Sequence, residues 1–203
     1  MVERHMYDGW SYERFRKQRN RAHFLLEEPY RFVTVLLHRG KLYAIDSPCY
    51  HGAGPLGEGE VVDVEDAHTA GGGSEGSILA CLRCPWHSFL ISIETGELVE
   101  FLPVEQPHGS SADGSYSPEQ VMPSYPLQRH RGICDGLRRL SRKGVVQRTH
   151  RVSLDETTGI LTIEVEDEND MARRPLPSDK VAGDLRNGAL TMQIFDIKSR
   201  GLT

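Results

Sequence analysis

The chain is poor in the features that staple a small protein or span a bilayer. Only four cysteines occur in 203 residues, and Cys134 stands far from the other three, so a secreted disulfide framework is excluded. The longest apolar runs, such as Val33-Thr34-Val35-Leu36-Leu37, fall far short of the roughly 20 residues of a membrane helix. No apolar signal segment follows Met1, so a cytoplasmic protein with no membrane association is expected. Positive charge is not in excess: the formal net charge is -5 and the pI about 6.0, which argues against a nucleic-acid partner. Glycine is plentiful in Gly52-Ala53-Gly54-Pro55-Leu56-Gly57-Glu58-Gly59, but no Gly-Lys-Ser/Thr follows and a phosphate loop is not indicated. Long helical periodicity is missing too, which turns the fold toward β structure.

Short stretches rich in β-branched residues supply that structure. Tyr30 to Leu37 and Lys41 to Ile45 read as a hairpin turning at His38-Arg39-Gly40, and Val61 to Val64 as a short strand. Ile78 to Leu82, Phe89 to Ile93 and Glu97 to Leu102 follow, then Val145 to Leu154 and Ile160 to Val165, with Ala189 to Ile197 as a possible last strand on an edge. The expected class is all-β, an antiparallel sandwich or barrel. Residues 1–23 read as a charged arm in which Trp10, Phe15 and Phe24 form too sparse a stripe for a helix. The main domain is expected over 24–166, with polar or basic insertions at about 66–77 and 108–143; residues 125–144 read as irregular. Residues 167–203 read as an acidic, proline-containing extension. Eight Lys or Arg fall between Arg129 and Arg151 against one acid, and this run is either a solvated face or a docking surface for a charged partner.

Two segments carry chemistry. Pro48-Cys49-Tyr50-His51-Gly52 and Cys84-Pro85-Trp86-His87 each place one thiol and one imidazole at the edge of a predicted strand, so two loops can meet over one centre. Two thiolates and two imidazoles suit a zinc ion, or a [2Fe-2S] cluster with cysteines on one iron and histidines on the other. Cys81, three residues before Cys84, has redox-dithiol or zinc spacing when read alone, but its place within a predicted strand leads us to expect a small hydrophobe pointing into the packed face. Cys134 has nothing at ligand spacing. His38, His68, His108 and His130 sit in polar or turn contexts and are expected to face solvent, whereas His150, on a strand, is a structural candidate.

Cys49-x-His51, a spacer, and Cys84-x-x-His87 with Pro85 and Trp86 inside the second pair resemble the Rieske [2Fe-2S] family, closest to its soluble Rieske-type ferredoxins. The flanks Leu42-Tyr43-Ala44-Ile45-Asp46, Gly54-Pro55-Leu56 and Thr95-Gly96-Glu97 agree, as does Gly144-Val145-Val146-Gln147-Arg148-Thr149-His150. The spacer of thirty-two residues exceeds the family's usual length by about the size of the insertion at 66–77. The cytochrome-complex branch carries an extra disulfide between the loops, at positions matched here by Gly54 or a near neighbour and by Trp86, and this chain has none.

The resemblance implies an antiparallel Rieske-type fold with a small cluster-binding subdomain made of two loops and a hairpin. It implies a [2Fe-2S] cofactor held by Cys49, His51, Cys84 and His87, and a non-catalytic electron carrier between a reductase donor and an oxygenase or reductase acceptor. A monomer is expected. The alternatives are a small Rieske subunit of a larger reductase and a structural Cys2His2 zinc module that binds protein. High-potential members of the family donate hydroxyls to the cluster two and four residues after the second histidine; Phe89 and Ile91 stand there, which implies a low potential.

Overall fold

The computed structural model describes residues 2–66, 77–103 and 138–191. Eleven strands in this described part form two antiparallel sheets. The first sheet takes β1 (Val2–Tyr7), β2 (Arg21–Leu26), β3 (Arg31–His38), β4 (Lys41–Asp46), β10 (Thr149–Asp155) and β11 (Ile160–Glu166), ordered β1-β11-β10-β4-β3-β2. It curls into a half-barrel that remains partly open. The second is an open sheet in which β5 (Glu60–Asp66), β6 (Ser77–Arg83), β7 (Leu90–Ser92), β8 (Glu97–Pro103) and β9 (Arg138–Val145) follow chain order. The chain therefore passes between the sheets twice, from β4 to β5 through residues 47–59 and from β9 to β10 through residues 146–148.

The predicted strands of the central chain stand close to their expected bounds because alternation and burial agree. In β3 the run Val33 to Leu37 is buried throughout, as a strand covered on both faces requires. Four stretches differ. Residues 1–23 carry β1, which pairs with β11 along its length, and the helix α1 (Tyr12–Lys17), started by Ser11 Oγ accepting from the Arg14 N–H at 3.1 Å. Trp10, Phe15 and Phe24 are not a helical stripe. They come from a loop, a helix and a strand and meet in one core with Val33, Val35, Leu161 and Ile163. Complete burial of Phe15 contributes about 2–3 kcal/mol.

Residues 138–145, expected to be irregular, form β9 along β8. Its Arg142 and Lys143 lie 3.5 and 3.7 Å from Glu97 and Glu100, and Leu140 pairs with Phe101 over the Val99 cluster, so backbone pairing, one apolar contact and cross-strand ion pairs together support this strand. The expected strand from Val145 to Leu154 is divided: Val145 closes β9 in one sheet and Thr149 opens β10 in the other. After Glu166 the expected extension holds α2 (Glu168–Arg173) and α3 (Pro177–Arg186), which presents Val181 and Leu185, four residues apart, to Ala53. Ala189 to Thr191 lie outside any strand. The remainder of the proposed last strand, the greater part of both insertions, Cys134, His68, His108 and His130 lie outside the described residues.

Candidate metal centre

The first crossover, residues 47–59, is a compact loop fixed at both ends. Pro48 and Pro55 form a bridge, the Gly57 N–H donates to Ser47 O at 3.0 Å, and a 3-10 turn spans Leu56–Glu58. Within it the Cys49 N–H donates to Gly54 O at 2.8 Å, and the Gly52 and Ala53 N–H groups donate to Cys49 O at 3.3 and 2.9 Å. Ala53 takes a positive φ of 56°, a conformation that costs a side-chain-bearing residue energy and is held here by its burial against α3. The second loop is a tight turn between β6 and β7. There the Cys84 N–H donates to Phe89 O and the Ser88 N–H to Cys84 O, each at 2.8 Å, with Ser88 at φ 58°.

These loops bring the four predicted residues into two pairs. Cys49 and Cys84 are fully buried, at 0% exposure, in one apolar cluster with Leu36, Ile45, Leu56, Leu82 and Ile91 between the sheets. His51 and His87 are exposed, and their rings meet edge to face with centroids 4.0 Å apart. Cys84 Sγ lies 3.9 Å from His87 Nδ1, which links the pairs. Phe89 packs against both imidazoles, at 5.0 Å from His51 and 6.0 Å from His87. Phe89 and the buried Ile91 stand two and four residues after His87, and neither side chain can donate a hydrogen bond. Among the described residues no three His, Cys, Asp or Glu side chains converge as a site for a single metal ion.

Burial pushes the Cys49 thiol up to about 12; the His51 N–H lowers it and the neighbouring Cys84 thiol raises it further. A thiolate here is therefore costly unless a cation lies beside it. Gly54 makes room at the same place: a Cβ on it would stand 3.3 Å from Cys84 Sγ and 3.2 Å from the Trp86 indole. Trp86 thus packs closely against Gly54. Two buried thiols and two adjacent imidazoles are a donor set that suits a two-iron cluster.

Cys81 is elsewhere. It is buried with Val64, Leu79, Leu90 and Val99 in a separate cluster, and burial pushes its thiol up to about 12, so its packing role stands as expected. His150 is structural as well, its Nε2 2.9 Å from Asp46 Oδ1 with the side chain 1% exposed. Three buried polar residues near the site are not singled out by the sequence pattern, although two of them lie in the Gly144–His150 segment that agrees with the family. Arg31 and Arg148 are buried guanidiniums in a network with Asp46, Asp179 and Glu166, and Gln147 is a fully buried amide beside the first loop. Hydrophobic patterning counts such residues as surface, and only the meeting of distant elements shows otherwise.

Comparison with known proteins agrees with this geometry. A family described as soluble Rieske-type ferredoxin matches residues 12–117, more than half of the chain. A human Rieske domain-containing protein is 27% identical over 133 residues, 66% of this chain and 60% of the relative, so the chain spans less than two thirds of that relative's length. No helix among the described residues is long and apolar enough to cross a membrane. The matched segment contains both Cys–His loops, and the chain belongs to the soluble Rieske-type ferredoxin family, whose members are typically one-electron carriers without catalytic activity.

Proposed function

We propose that Cys49 and Cys84 hold one iron and His51 and His87 the other iron of a [2Fe-2S] cluster, and that the protein carries single electrons from a reductase to an oxygenase or reductase partner. The observation that carries this reading is the segregation of the ligands. Both thiols are buried between the sheets and both imidazoles face solvent side by side, so the donors divide two and two. When bound, such a cluster supplies one-electron chemistry with the added electron on the histidine-held iron. The protein contributes the rest. Leu36, Ile45 and Leu82 keep water from the thiolates, Phe89 buttresses both imidazoles, and the exposed ring edges give a partner close approach.

In the same reading the two loops and the β7–β8 hairpin form the cluster-binding subdomain, and the six-stranded sheet, which draws in β1 and the start of β2 from before residue 24, is its base. The carrier is cytoplasmic and monomeric, and the chemistry belongs to its partners. Visible absorption and metal analysis of the purified protein test the proposal. A red-brown protein that loses its colour in His87→Ala and keeps it in Cys81→Ala supports the assignment. A colourless protein with stoichiometric zinc replaces it with the Cys2His2 module.

A further inference from the structure

The second crossover, Val146-Gln147-Arg148, runs beside the first. The Asp46 N–H donates to Arg148 O at 3.0 Å, so the chain leaving β4 and the chain entering β10 touch just before the ligand loop begins. Helix α3 fixes this crossover from outside: the Ser178 N–H donates to Val146 O at 3.1 Å, and the Arg148 N–H donates to Ser178 Oγ at 3.0 Å. With both neighbours held, Gln147 is turned inward and is 0% exposed.

Every polar atom of that side chain is committed to the first loop. Gln147 Nε2 donates to Asp46 O at 2.9 Å and to Pro48 O at 2.7 Å, and Gln147 Oε1 accepts from the Tyr50 N–H at 3.0 Å. The last two contacts flank Cys49. The backbone of the same residue is committed to the other ligand unit. The Val146 and Gln147 N–H groups both donate to Gly96 O, at 2.9 and 3.1 Å, in the turn of the β7–β8 hairpin behind the second loop. Gly96 is at φ 71°, and a Cβ on it would fall 1.9 Å from Gln147 O, so only glycine permits this approach.

We propose that Gln147 is a positioning residue that sets the Cys49–His51 loop against the hairpin bearing Cys84 and His87, and so fixes the spacing of the two ligand pairs. The proposal deepens the cluster reading in its consequence, while the staple itself rests on the protein alone. Removing the amide leaves two buried carbonyls and one part-buried N–H without this partner, all within three residues of Cys49. The loop then gains freedom even where the fold persists.

Gln147→Leu keeps the approximate volume and removes the bonds; Val165→Ala, in the core of the six-stranded sheet away from the loops, serves as a control of comparable thermal destabilisation. Two readouts are compared. In the apoprotein, hydrogen exchange at the Tyr50 amide should quicken at least about tenfold beyond the control. In the loaded protein, iron release to a chelator should quicken by a similar factor and the electron-resonance lines should broaden. Equal Tyr50 exchange in Gln147→Leu and the control would overturn the proposal, as would equal iron release with an unaltered spectrum. If Gln147→Leu does not fold, Gln147→Glu gives the iron-release comparison, since it keeps an acceptor for Tyr50 and loses both donors. A native protein that carries no iron-sulfur cluster refutes the cluster assignment instead, and Tyr50 exchange still decides the staple.

Discussion

Asp179 on α3 offers the sharpest energetic test of how the site is supported. Its carboxylate accepts from Arg148 Nε at 2.8 Å and Nη2 at 2.7 Å, from the Leu176 N–H at 2.8 Å, and from Arg31 Nη2. Both guanidiniums are buried, at 4% and 7% exposure. Removing one partner from a buried ion pair costs about 3–5 kcal/mol, mostly because a charge is left uncompensated. Here each cation keeps another acceptor, Asp46 for Arg31 at 2.6 Å and Glu166 for Arg148 at 2.8 Å. We therefore expect Asp179→Ala to cost about 2–4 kcal/mol, a large part of the 5–15 kcal/mol of an ordinary domain.

Urea unfolding of the apoprotein measures that loss without the complication of a bound metal. Burial alone would raise the Asp179 pKa, but Arg148, the Leu176 N–H and Arg31 outweigh it and hold the carboxyl below its ordinary range. A depressed carboxylate contributes stability that is full above about pH 4 and declines as pH falls toward the lower folded value. The deficit of Asp179→Ala should accordingly shrink on acidification through that window. A loss under about 0.5 kcal/mol, or one that is constant from pH 6 to pH 3, would refute this account of α3.

Gly54→Ala places a methyl 3.2 Å from the Trp86 ring and 3.3 Å from Cys84 Sγ, so iron content per chain should fall markedly while the fold remains; full loading would show that Trp86 simply moves aside. With Phe89 and Ile91 unable to donate, the midpoint potential at pH 7 should lie nearer about -150 mV than +300 mV, and film voltammetry above about +100 mV would contradict this. Phe89→Ser should raise the midpoint if its hydroxyl reaches a sulfur, whereas an unchanged value in a folded variant would leave the loop N–H groups as the controlling donors.

The sequence made the ligand loops legible because Cys–His spacing does not depend on context, and it made β3, β4 and β6 legible because their apolar runs are short and bounded by turns. It failed where support comes from partners distant in the chain. Asp167, whose side chain accepts from the Asp170 N–H at 2.9 Å, and Pro177 in the first turn of α3 are helix-start signals, yet surrounding acids and prolines gave the stretch the composition of a linker. In β9, edge position and cross-strand ion pairs take the place of alternation, so Arg142 and Lys143 disguised a strand. Gln147 is the clearest case. A buried amide satisfied by Asp46, Pro48 and Tyr50 has no periodic signature, since those partners lie about a hundred residues earlier in the chain.

Pulsed electron resonance on the chemically reduced protein tests the central assignment most directly. The account predicts two nitrogen couplings, from His51 and His87, at the reduced iron, both absent with the cluster in His87→Ala and both kept in His150→Phe. A cluster signal without nitrogen coupling, or purified protein with zinc and no signal after reduction, would contradict it.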